Sequence, residues 1–188
     1  VDDNGYMGLD SISLLDFENS WEITTSPMSF MPLGKLRMPE TSAVGDVHHA
    51  GSGHSITFKN DGSGHRTLIA QMKKFGPAGS IYARVELFDE PEESMVICTP
   101  FDKPGHFYYN QKINCMRAKG EVVYDGKTYV FDPSDSFAVL DWGARCLDVP
   151  QHVVLGQRVV SGRRRTIRLE YRLRLRRHLR REREHAVL

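Results

Sequence analysis

The chain has 188 residues, with 25 Lys and Arg against 24 Asp and Glu, for a formal net charge of +1. That balance hides a division: residues 1–145 hold 13 basic and 20 acidic residues, whereas residues 146–188 hold 12 Arg, no Lys and 4 acidic residues. No apolar run approaches the ~20 residues of a membrane helix. The three cysteines show no paired spacing, which argues against a disulfide framework and for a reducing, cytoplasmic setting. Val1 opens the chain without a charged-then-apolar leader, as in a gene fragment.

In chain order, the first candidate for chemistry is the Gly-rich stretch that holds His48, His49 and His54. It reads as a polar loop, with metal binding the less favoured alternative. Ser55-Ile56-Thr57-Phe58, a polar Asn60-Asp61-Gly62-Ser63-Gly64 turn, and Thr67-Leu68-Ile69-Ala70-Gln71-Met72 form a strand, turn and strand. Residues 81–88 alternate, which puts Ile81, Ala83, Val85 and Leu87 on one face. Residues 122–131 predict a hairpin in which Asp125-Gly126 supplies two positive-φ positions. Pro133 then closes a strand, since proline cannot donate to a ladder. Eight or nine short strands and no long helix are expected before residue 146. The fold class is therefore all-β, an antiparallel barrel or sandwich.

No phosphate loop, nucleophile elbow or paired metal spacing occurs, so neither a cofactor nor a metal is expected. Strand alternation over residues 107–114 sends Tyr108, Asn110, Lys112 and Asn114 to one face, and Phe107, Tyr109, Gln111 and Ile113 to the other. Inside a barrel the polar row could orient a ligand, and a partly buried Lys112 could move protons. On an outer face the same row would merely be solvated. Asp141 lies between the apolar Phe137-Ala138-Val139-Leu140 and Trp142-Gly143. Desolvation beside an indole would suit it to acid catalysis, whereas pairing with a cation or with backbone amides would make it structural. Trp21 and Trp142 read as core aromatics, and Glu92 and Glu93 as turn residues after Pro91.

Three blocks carry a family resemblance: Glu93-Ser94-Met95-Val96-Ile97-Cys98-Thr99-Pro100-Phe101, Phe107-Tyr108-Tyr109-Asn110-Gln111-Lys112-Ile113-Asn114-Cys115, and Phe137-Ala138-Val139-Leu140-Asp141-Trp142-Gly143. Together with Gly34-Lys35-Leu36 and Gly45-Asp46-Val47, they resemble the family called domain of unknown function 2804, in its N-terminal half. The resemblance implies a distant likeness to the lipocalin-like carotenoid and kievitone hydratases. It also implies that Asp-Trp-Gly should continue as Arg-Gly-x-Trp and an aromatic run. Codons for residues 146–157 can be written so that reading one base later restores such a run. On this reading residues 1–145 are an incomplete domain, and residues 146–188 are an out-of-frame tail, disordered or drawn as a helix over 163–185.

The resemblance implies a hydratase or isomerase acting on an apolar, unsaturated small molecule. Asp141, Tyr108 and Lys112 are its catalytic candidates; Asn110, Asn114, Trp142 and Glu93 would contact the ligand. One alternative is a non-catalytic binder of a lipid or similar apolar molecule. Another is nucleic-acid binding through Arg164, Arg165, Arg176, Arg177, Arg180 and Arg181, which has charge but no groove-reading motif behind it. The composition does not choose between enzyme and binder, and it does not fix the oligomeric state.

Overall fold

A computed structural model describes residues 7–30, 38–146, 153–161 and 165–171. Thirteen strands run in chain order. They are β1 (Met7–Asp16), β2 (Trp21–Thr25), β3 (Met28–Phe30), β4 (Val47–Gly51), β5 (His54–Asn60), β6 (Arg66–Met72) and β7 (Ile81–Phe88). There follow β8 (Met95–Pro100), β9 (Phe107–Tyr124), β10 (Lys127–Phe131), β11 (Ser136–Cys146), β12 (Val153–Ser161) and β13 (Arg165–Tyr171). Among the described residues there is no helix, and so none long and apolar enough to cross a membrane.

The strands form one antiparallel sheet in the order β2-β1-β13-β12-β11-β9-β7-β6-β5-β4, with β3 on β1 and both β8 and β10 on β9. The path ends at β2 and β4, so the sheet does not close into a barrel. Instead it folds over in the manner of a sandwich. Ile12 and Leu14 of β1 enter the same apolar core as Val47 of β4 and Ile56 and Phe58 of β5. The expected alternation on β7 holds, with Ile81, Ala83, Val85 and Leu87 all buried and the residues between them more exposed. Asp125 and Gly126, at φ 52° and 66°, make the two-residue turn between β9 and β10. Both central residues lie in the region that a type I′ turn demands.

β9 is the spine. Along one edge it pairs with β8 and then β7, and along the other with β11 and then β10. Midway, the ladder to β11 shifts between Ala138 and Leu140. Asn114 and Cys115 stand opposite the single residue Val139, and Cys115 adopts φ 62°. This β-bulge changes which parity faces inward, so Ile113 before it and Met116 after it are both buried.

Three regions differ from the sequence expectation. Eleven strands, not eight or nine, precede residue 147, because the N-terminal region adds β2 and β3 with only weak alternation. The Gly-rich histidine stretch is a hairpin of β4 and β5 rather than a polar loop. Beyond residue 145, β12 pairs with β11, and β13 pairs with both β12 and β1. Within the 163–185 stretch expected to be disordered or helical, residues Arg165–Tyr171 are a strand. Thr166-Ile167-Arg168-Leu169-Glu170-Tyr171 has the two-residue period of a strand. Residues 162–164 and 172–188 lie outside the described residues, and with them Arg164, Arg176, Arg177, Arg180 and Arg181.

Candidate functional site

The polar groups inside the fold are few, and three of them meet. Asp10 on β1, His49 on β4 and His54 on β5 are 0%, 6% and 8% exposed. Strand alternation places each on the inner face: Asp10 with Ile12 and Leu14, His49 with Val47, His54 with Ile56 and Phe58. The β4–β5 register sets His54 opposite Gly51, and a side chain at Gly51 would overlap the His54 ring. The two imidazoles meet edge to face, with centroids 5.8 Å apart.

His49 Nδ1 makes a short contact with Asp10 Oδ2. His54 Nε2 lies 2.7 Å from the same oxygen. Distance alone would make the second contact a hydrogen bond. It lies off the required direction, so His54 Nε2 has no hydrogen-bond partner, and neither does Asp10 Oδ1. Asp10 therefore brings a buried carboxylate to two imidazoles, with one of its oxygens unengaged. His54 also lines an open cavity of about 430 Å³, together with Gly51, Met72, Lys73, Ile81 and Tyr82. His48, one residue from His49, points outward and hydrogen-bonds Thr57 Oγ1 at 2.7 Å.

The residues favoured by the sequence form a second cluster on the other face of the sheet. β9 and β11 are in register with Asp141 opposite Lys112 and Gly143 opposite Asn110. Lys112 Nζ lies 2.5 Å from Asp141 Oδ2, and Asn110 Nδ2 donates to Asp141 Oδ1 at 2.6 Å and to the Tyr108 hydroxyl at 3.0 Å. A Cβ on Gly143 would stand 2.5 Å from the Tyr108 hydroxyl, so the bare glycine leaves room for that ring. Four of the expected residues are thus brought together: Asp141, Lys112, Asn110 and Tyr108.

That cluster faces away from the core. Trp142, Leu140 and Ile113 occupy the inner side with Tyr109, whose ring stacks edge to face on Trp142 at 5.7 Å. Asp141 and Lys112 have side chains 46% and 31% exposed, while Asn110 is buried. Asp141 is therefore an ion-paired surface carboxylate, and its cationic partner is Lys112. Asn114 falls in the exposed bulge, and Glu93 is exposed ahead of β8; the hydrogen bonds that link the cluster include neither. Trp142 is a core residue, 5% exposed, as its sequence setting implied.

Sequence reasoning missed Asp10. It is 39 residues from His49, and the two join only because the sheet folds over. The one available signal was an acidic residue two positions ahead of Ile12, in step with Ile12 and Leu14.

The family model for Domain of unknown function (DUF2804) matches residues 1–175. This chain belongs to the DUF2804 family. The match takes in β12 and β13 as well as the three motif blocks, so it extends past the change of composition after residue 145. No curated protein and no solved structure matches the chain.

Proposed function

We propose that this DUF2804 chain is a hydratase or isomerase of small apolar, unsaturated molecules, and that its reacting centre is the Asp10–His49–His54 cluster. One observation carries the proposal: a fully buried carboxylate held against two imidazoles, one of which forms the wall of a 430 Å³ cavity. Adding water to a double bond, or removing it, requires an oriented water and fixed polar groups in a place that bulk solvent does not dominate. Met72, Ile81 and Tyr82 give the same cavity apolar and aromatic surface for the substrate. The hydratase class itself comes from the family resemblance, not from the geometry.

The test is turnover of an unsaturated isoprenoid alcohol and an unsaturated fatty acid in heavy-oxygen water. Labelled hydroxylated product should form with the wild-type chain and with Asp141→Asn, and should be lost in Asp10→Asn. Product from Asp10→Asn would overturn the assignment. Product lost in Asp141→Asn alone would move the chemistry to the opposite face.

A second reading is a non-catalytic ligand-binding face made by Tyr108, Asn110, Lys112 and Asp141. It is favoured by Gly143, which leaves space for the Tyr108 ring beside three linked polar groups. Binding of a fluorescent fatty acid that is lost in Tyr108→Ala but kept in Asp10→Asn would select it.

A further inference from the structure

We infer that Asp10, His49 and His54 form the binding site of one divalent first-row transition-metal ion. The inference uses the same three side chains as the proposed function but does not require them to be catalytic. Two imidazole nitrogens and a carboxylate oxygen all lie within 4.8 Å of one another. Donors about 2.1 Å from a shared tetrahedral ion stand roughly 3.4 Å apart, so an ion would part the 2.7 Å His54–Asp10 contact by roughly 0.7 Å, within reach of side-chain rotation.

Three further features point the same way. The first is charge. Asp10 is wholly buried, and among the described residues its only ion-pair contacts are with the two histidines. A divalent cation would neutralise it, where a carboxylate left to itself in that setting is costly. The second is satisfaction. Asp10 Oδ1 and His54 Nε2 are both buried without a hydrogen-bond partner. Groups left in that state are costly unless something engages them, and a metal ion engages both kinds of atom. The third is preorganisation. His49 and His54 stand on neighbouring strands of one tight hairpin, and Gly51 carries no side chain where the His54 ring lies.

The donor set selects the ion. Imidazole favours zinc, iron, cobalt and their neighbours over magnesium or calcium, which prefer all-oxygen cages. Both described cysteines without a disulfide, Cys98 and Cys115, are exposed, and the cluster contains no thiolate. Two histidines and one carboxylate leave coordination positions open, as in catalytic rather than structural sites. The cavity wall that His54 forms gives water or substrate a way in.

The test is calorimetric and optical titration of the chelator-stripped full chain with Co²⁺, alongside a thermal melt of each variant. One ion per chain is expected, with a visible spectrum typical of nitrogen and oxygen ligands and without a thiolate charge-transfer band. His49→Ala and His54→Ala should each weaken binding by more than about 100-fold, beyond the 10–100-fold that outer-shell partners cost. His48→Ala, which alters the outward imidazole, should bind as wild type. Should the inward variants fail to fold, X-ray absorption of the wild-type cobalt complex still decides, since it must show imidazole scattering and no sulfur. No saturable binding by folded wild-type chain, binding unchanged in the His49→Ala His54→Ala pair, or sulfur in the shell would overturn the inference. Metal binding without hydration activity would refute the proposed function and leave the metal site standing. Hydration by a chain that shows no saturable Co²⁺ binding would do the reverse.

Discussion

Gly51→Ala is the most discriminating single change in the fold, because two effects of opposite sign meet there. The backbone at Gly51 lies outside the left-handed region, so alanine imposes no conformational strain. By restricting the unfolded chain alone, the substitution should stabilise by about 0.4–1 kcal/mol. Against this, the new Cβ would overlap the His54 ring. The ring must swing away from a well-packed position, at about 1–3 kcal/mol of strain. It also moves away from Asp10 Oδ2, but that 2.7 Å approach is not a hydrogen bond and adds little to the balance. The net expectation is a loss of about 0.5–2 kcal/mol, which lowers Tm by about 1–8 °C for a chain of this size. In a His54→Ala background the ring is gone, and Gly51→Ala should turn neutral or stabilising. Thermal melts of the four proteins in the cycle measure this reversal directly. A stabilised single variant, or equal destabilisation in both backgrounds, would show that His54 does not lie over Gly51 and would remove the packing basis of the site.

Two further outcomes follow from the buried charges and the exposed turns. Arg66 is 2% exposed and donates to Glu90 at 2.6 Å, to the Gly64 carbonyl at 3.0 Å and to the Ser42 carbonyl at 3.1 Å. Glu90→Ala strands that buried cation and should cost about 3–5 kcal/mol, whereas Arg66→Met leaves a carboxylate that water can reach and should cost less; urea midpoints in the opposite order would refute this account. Hydrogen bonds from Ser63 hold Asp61, and those from Ser134 hold Asp132, below the ordinary 3.8. A carboxyl lowered in the folded state contributes stability that is fully present above its unfolded value and is lost as pH falls through its folded one. Ser134→Ala should therefore lessen the drop in urea midpoint on going from about pH 7 to about pH 3, and an unchanged drop would count against the turn.

How much of this was legible depended on how local the cause was. Alternation on Ile81, Ala83, Val85 and Leu87 and the turn at Asp125-Gly126 are decided within a few residues, and both appear as read. The bulge at Asn114 and Cys115 lacks the glycine that often marks such a site, so nothing in the sequence separated Asn114 from the row before it. The cross-strand pair of Lys112 and Asp141 needed the register of β9 on β11, which an isolated strand pattern cannot supply. Asp10 needed still more, since β1 and β4 sit far apart along the sheet and meet only through its folding over.

That last point bears on why the cluster exists. Stability does not require Asp10, His49 and His54 at inward positions. Replacing buried charged groups by apolar side chains of similar size is often neutral or stabilising, and their neighbours Ile12, Val47 and Ile56 show what the core otherwise takes. Arg66 offsets its charge through Glu90 and two carbonyls and leaves only its Nε unengaged. The Asp10 cluster leaves both an oxygen and a nitrogen unengaged at one place in the interior. A polar group that folding does not need and the fold does not satisfy is explained by something that binds it. Among the described residues, this cluster is where three such donors converge beside a cavity.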